Sequence, residues 1–108
     1  MISEVDIRDY LGDKYIQPSK NKRKEVLDEA SSIVNGARTQ TYGGPEDSFK
    51  QIGALWAAYL GHPVSAVDVS LLLGLMKVAR LKATPTHHDS WVDIAGYAAC
   101  GAECALKG

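Results

Sequence analysis

Four charges stand where the surrounding residues are apolar. Lys77 and Arg80 interrupt the most apolar stretch of this 108-residue chain, three residues apart and so on one side of a helix. Asp89 and Asp93 follow, one turn apart, on the next helical segment. The connection from Lys82 to Pro85 is short, so the two helices should run antiparallel, with Arg80 level with Asp89 and Lys77 level with Asp93. A cation withdrawn from water must meet a carboxylate or a phosphate, or its desolvation goes unopposed. The four residues therefore predict one of two things. Either they are ion pairs that set the register of a helical hairpin, or they line a polar pocket. In such a pocket the cations face phosphate oxygens, while the carboxylates hold the cations, accept from a base or ribose, or bind Mg²⁺.

A second constellation runs from Arg38 to Asp47, as Arg38-Thr-Gln-Thr-Tyr42-Gly43-Gly44-Pro45-Glu46-Asp47. Two glycines permit close approach of a ligand, and a helix starting at Pro45 presents free N–H groups that favour an anion. Arg38 and Tyr42 offer a planar cation and an aromatic face for a phosphate and a base. Trp91 is a second stacking candidate. An ordinary turn between helices accounts for the same residues, and the segment lacks the spacing and the lysine of a Walker loop. His87 and His88 precede Asp89, but neighbours on a helix point about 100° apart, so at most one of them can share a site with Asp89 or Asp93. His62 falls in a Gly-His-Pro turn. Cys100 and Cys104 lie one turn apart with no histidine beside them on the helix, and read as small apolar fillers. No Cys/His pair or Gly-x-Ser-x-Gly elbow supports nucleophilic catalysis.

The elements that must position these residues are helices. Val26/Leu27, Ala30, Ile33/Val34 and Ala37 mark one face of a first helix, ending at Asn35-Gly36 or running on to Thr41. A second begins at Pro45, with Glu46 and Asp47 in its first turn, and closes at Gly61 and Pro63. Ser65 and Asp68 have capping-box spacing and open a third, apolar nearly all round from Val67 to Leu81, which belongs in the middle of a bundle. Thr86 and Asp89 repeat the spacing and open a fourth. Its small residues (Ala95, Gly96, Ala98, Ala99, Gly101, Ala102, Ala105) leave two sides nearly bare, for another helix of this chain or the same helix of a second subunit. No segment alternates like a strand. The expected fold is all-α, a four-helix bundle over residues 25–108. Before it, residues 1–24 form a short N-terminal helix or arm around Val5, Ile7, Tyr10-Leu11 and Tyr15-Ile16, ending in the basic cluster Lys20, Lys22, Arg23 and Lys24.

Composition narrows the function. Twelve Lys plus Arg against thirteen Asp plus Glu give a net charge of −1, without the cationic surplus of a general nucleic-acid binder. No apolar run approaches the roughly 18–20 residues of a membrane span. The N-terminus has no basic-then-apolar signal segment, and two cysteines read as cytosolic thiols, so the cytoplasm is the expected compartment. A chain of this length buries a modest core, which favours self-association.

The stretch from Glu25 to Glu103 resembles a phage and prophage family of small helical proteins without established function. The likeness is carried by Arg-x-x-x-Tyr-Gly-x-Pro-Glu, Lys-x-x-Arg and Asp-Ser-Trp-Val-Asp-x-Ala-Gly-Tyr. More distantly the chain is similar to MazG-like all-α nucleoside triphosphate pyrophosphohydrolases, which hold Mg²⁺ on two acidic helices. Asp89-Ser-Trp-Val-Asp93 looks like the second of those helices, but Lys77 and Arg80 stand where the first acidic pair is expected. The leading expectation is therefore a non-catalytic binder of nucleotides or related phosphate-bearing small molecules, acting without a cofactor. In it Arg38, Lys77 and Arg80 meet phosphate, Tyr42 or Trp91 stacks, and Asp89 and Asp93 orient the cations. In a phage setting, within the host cytoplasm, it would sequester a host nucleotide signal. Self-association through the Ala/Gly-rich helix goes with this reading. Two alternatives stand beside it: a Mg²⁺-dependent pyrophosphohydrolase with Glu46, Asp47, Asp89 and Asp93 as ligands, and a structural or host-protein-binding bundle whose charges only set register.

Overall fold

Asn21 opens the first described helix, its side-chain oxygen accepting from the Lys24 backbone N–H at 3.1 Å, which satisfies one donor that a helix start leaves free. This helix, α1, spans Lys22–Asn35 and is capped by Gly36. The computed structural model describes residues 21–36 and 44–107. The arm expected around Val5 to Ile16 lies outside them, as do Lys20, Arg38 and Tyr42. Of the basic cluster, Lys22, Arg23 and Lys24 form the first turn of α1, so the helix begins ahead of residue 25. Lys22 pairs with Glu25 at 3.0 Å and Lys24 pairs with Asp28.

Helix α2 spans Pro45–Leu60 and ends on Gly61, whose φ of 79° is the left-handed conformation that glycine adopts without strain. Its N–H closes the cap on the Ala57 carbonyl at 2.8 Å. Helix α3, Ala66–Ala83, opens on the expected capping box: the Asp68 N–H donates to Ser65 Oγ at 3.0 Å and the Ser65 N–H donates to Asp68 Oδ2 at 2.9 Å. These bonds hold the Asp68 carboxyl below its ordinary pKa. Helix α4 spans His88–Leu106. The Thr86–Asp89 box does not form. Pro85 and Thr86 make a turn in which the His87 N–H donates to the Thr84 carbonyl at 3.1 Å, leaving His87 as the cap. All regular structure among the described residues is helical, and no described helix is long and apolar enough to cross a membrane.

The packing reverses one expectation about the centre. Helix α4, not α3, packs substantially against all three others, because its small residues let neighbours come close. A Cβ on Gly101 would lie 2.3 Å from Ser70 Oγ of α3, and one on Gly96 would lie 3.4 Å from Val34 Cγ1 of α1. Both glycines are thus met by helices of the same chain. Phe49 of α2, Val69 of α3 and Cys100 of α4 form the buried core, with Ile52, Trp56, Leu73 and Tyr97 against it. Cys100 and Cys104 are free thiols. Burial pushes both above their ordinary pKa, as suits apolar fillers.

Helix α3 lies at the edge. Val69, Ser70 and Leu81 are buried, while Leu71, Leu72, Leu75, Met76 and Val78 face outward. Its uniform apolarity implied neighbours on every side, but the described helices cover only one side of it.

Candidate functional site

A cleft of about 890 Å³ opens between α1, the start of α2 and the middle of α4, within the range of about 300–1,000 Å³ usual for small-molecule sites. Its floor is apolar, with Ala30 and Val34 from α1 and Val92 and Cys100 from α4. Its polar groups come from two elements. The first turn of α2, fixed by Pro45, carries Asp47 and Ser48, and α4 carries Asp93 and Tyr97 one turn apart. Gly96 lies between them on α4, where an added Cβ would meet Val34 Cγ1 of α1 at 3.4 Å, an ordinary contact distance.

Asp93 is held from α3. Lys77 Nζ lies 2.9 Å from Asp93 Oδ2, with side-chain exposures of 15% and 34%. The expected hairpin pairing therefore forms at Lys77–Asp93. It does not form at Arg80–Asp89: both residues are exposed, and no ion pair joins them among the described residues. Three residues of helix turn through about 300°. A register that points Lys77 at α4 thus carries Arg80 about 60° around towards solvent. Lys77 itself does not line the cleft, whose described walls carry two carboxylates and no cation.

Asp89 joins a different group. Glu29 of α1, His88 and Asp89 bring one ligand atom each to within 4.8 Å of one another. His88 Nε2 lies 2.6 Å from Glu29 Oε2, and that contact raises the His88 pKa above its ordinary value. This is the one such group of His, Cys, Asp or Glu among the described residues. The quartet of Glu46, Asp47, Asp89 and Asp93 does not assemble as a metal set. Glu46 turns instead to Lys50 at 3.3 Å and to Lys107, and those lysines hold its carboxyl below the usual range. Trp91 does not line the cleft; its indole N–H donates to the Pro85 carbonyl at 2.8 Å. His62 stays in its turn, 3.0 Å from the Pro63 carbonyl oxygen.

Sequence reasoning missed Glu29, Ser48 and Tyr97; of His87 and His88 it allowed one to share a site with Asp89, and His88 is the one grouped with it. Glu29 and His88 are 59 residues apart, so no local spacing connects them. Tyr97 had a legible signal: it lies four residues after Asp93 and so on the same face of α4.

A family model described as Domain of unknown function (DUF6378) matches residues 25–105. The "Gene 55 protein" of Mycobacterium phage D29 is 44% identical over 77 residues, covering 71% of this chain and 51% of that protein. Its counterpart in Mycobacterium phage L5, also a "Gene 55 protein", is 40% identical over 74 residues, covering 68% of this chain and 47% of that one. The chain spans about half the length of these curated relatives. No solved structure matches.

Proposed function

The chain belongs to the DUF6378 family of phage proteins, and we propose that it binds a nucleotide or related phosphate-bearing small molecule in the cleft between α1, α2 and α4. The observation that carries this reading is Asp93, which lines a cleft of ligand size and is paired with Lys77, a residue outside that lining. A carboxylate fixed in that way accepts from ribose hydroxyls or an exocyclic amine at little ordering cost. Asp47 supplies a second acceptor, and the Tyr97 ring is the stacking platform within the cleft. The cation for the phosphate would be Arg38, the sequence's own candidate, which lies outside the described residues. Sequestration of a host nucleotide signal is the role that fits such binding without turnover. A thermal-shift panel of nucleotides and cyclic nucleotides, followed by calorimetry, tests it. Stabilisation of several degrees by at least one compound is expected, with affinity reduced at least about tenfold by Asp47→Ala. A panel without any stabilisation overturns the proposal.

A second reading rests on Glu29, His88 and Asp89. One imidazole and two carboxylates suit Mn²⁺ or Zn²⁺ better than the all-oxygen shell of Mg²⁺. A divalent ion there is the form in which MazG-like pyrophosphohydrolase chemistry would reach this fold. The same atoms make a His88–Glu29 ion pair when His88 is protonated, so metal and proton compete. Because the His88 pKa is raised, metal affinity should be full at alkaline pH and fall as pH drops through that raised value. Mn²⁺ titration at two pH values, with His88→Gln as control, reads this directly. Pyrophosphate release from a deoxynucleotide panel, lost on Asp89→Ala, would establish the enzyme. Absence of both metal binding and release removes it.

A further inference from the structure

Among the described residues one face of α3 has no partner, and its pattern specifies what fits it. At about 100° per residue, Asp68, Leu71, Leu72, Leu75, Met76, Val78, Ala79, Lys82 and Ala83 lie within about 80° of one line along the helix. Every one of them is exposed, Leu71 at 61% and Leu75 at 62%. The buried residues Val69, Ser70 and Leu81 lie on the opposite side, against the rest of the bundle. Asp68, Leu71, Leu75, Val78 and Lys82 are spaced three, four, three and four residues apart, the seam spacing of paired helices. The apolar part is bracketed by one acid and one base, each seven residues from Leu75.

That arrangement is complementary to itself under a two-fold axis. An antiparallel copy centred on Leu75 brings Asp68 opposite Lys82 at both ends, Leu71 opposite Ala79, Leu72 opposite Val78, and Leu75 onto itself. A parallel copy would set Asp68 against Asp68 and Lys82 against Lys82. A large exposed apolar patch on one chain marks an interaction surface. Leu71, Leu72, Leu75, Met76 and Val78 give the face five large apolar side chains. That is a fair core for the roughly 800 Å² per partner of a stable interface. We propose that α3 is the interface of an isologous homodimer, two copies crossing antiparallel at Leu75. The interface is thus the leucine face of α3 rather than the small-residue helix α4, whose glycines are met within the chain.

Sedimentation of the full chain at micromolar concentration should give twice the chain mass, and Leu75→Glu should give the monomer with unchanged helical circular dichroism. Lys82→Glu, which removes two cross-subunit pairs and adds two repulsions, should weaken dimerisation by about tenfold. Crosslinking reads the geometry independently of folding losses. In a chain carrying Cys104→Ala, Leu75→Cys should oxidise to a covalent dimer. Leu71→Cys should not, because the two copies of residue 71 lie about 12 Å apart along the helix, beyond the reach of a disulfide. A wild-type monomer, a dimer indifferent to Leu75→Glu, or equal crosslinking at 71 and 75 overturns the proposal.

Discussion

Gly53→Ala is expected to destabilise the protein by about 2 kcal/mol, although alanine is the better helix former. Gly53 lies in the middle of α2, where glycine costs up to about 1 kcal/mol against alanine. Propensity alone therefore predicts a gain. The tertiary structure predicts a loss, because a Cβ there would lie 2.6 Å from the Val64 carbonyl oxygen and 3.4 Å from Val69 Cγ2. The obstacle is backbone, in the connection that turns the chain from α2 into α3, so relief requires the two helices to part around Val69, which is fully buried. Thermal or urea unfolding measures the outcome. A loss of this size lowers the melting temperature by roughly 8–16 °C in a domain of this size. A midpoint that rises would show that Val64 yields freely and that propensity governs the position.

The second large effect concerns the ion pair at the cleft. Lys77→Met leaves Asp93, two-thirds covered, without the group that balances its charge, and should cost about 1–2 kcal/mol, below the 3–5 of a fully buried pair because water still reaches the carboxylate. Lys77→Met combined with Asp93→Leu removes both charges and should recover most of that loss, since a well-packed apolar pair is close to neutral in stability against the ion pair. Ligand binding separates the roles. If the pair serves only to set register, the double variant keeps whatever ligand the wild type binds. If Asp93 is an acceptor in the cleft, the double variant folds as stably as the wild type and does not bind. Calorimetry on the ligand found by the nucleotide panel, set beside urea midpoints for the four members of the cycle, decides between them.

Much of the architecture was legible because it rests on local chemistry. Ser65 and Asp68 make the reciprocal cap that their spacing implies. Pro45 begins α2, and Gly61 ends it in the left-handed conformation. Gly36 stops α1 at the nearer of the two expected ends. The Lys77–Asp93 contact was legible too, because a short connection between antiparallel helices makes height along the hairpin a simple function of residue number. Where the same arithmetic failed, at Arg80 and Asp89, it lacked the angular term. Equal height does not mean the same face, and 60° of rotation separates a mostly buried lysine from an exposed arginine.

The cap of α4 was misread for a related reason. Thr86 and Asp89 have the spacing of a capping box, but spacing does not say which residue still belongs to the preceding turn. The Pro85–Thr86 turn, closed by the Thr84 carbonyl, moves the helix start on by one residue.

What the amino-acid order determined by itself, then, is the kind and approximate extent of the described helices and the chemistry available along them, since capping, propensity and periodicity act within a few residues. Which helix sits at the centre was decided only in three dimensions. Apolarity ranked α3 first, yet close packing favours the helix whose side chains are smallest, and Gly96 and Gly101 let α4 take neighbours on two sides. The cleft and the Glu29–His88–Asp89 group were likewise decided there. Both depend on α1 lying against α4, a contact between distant parts of the chain that no local pattern encodes.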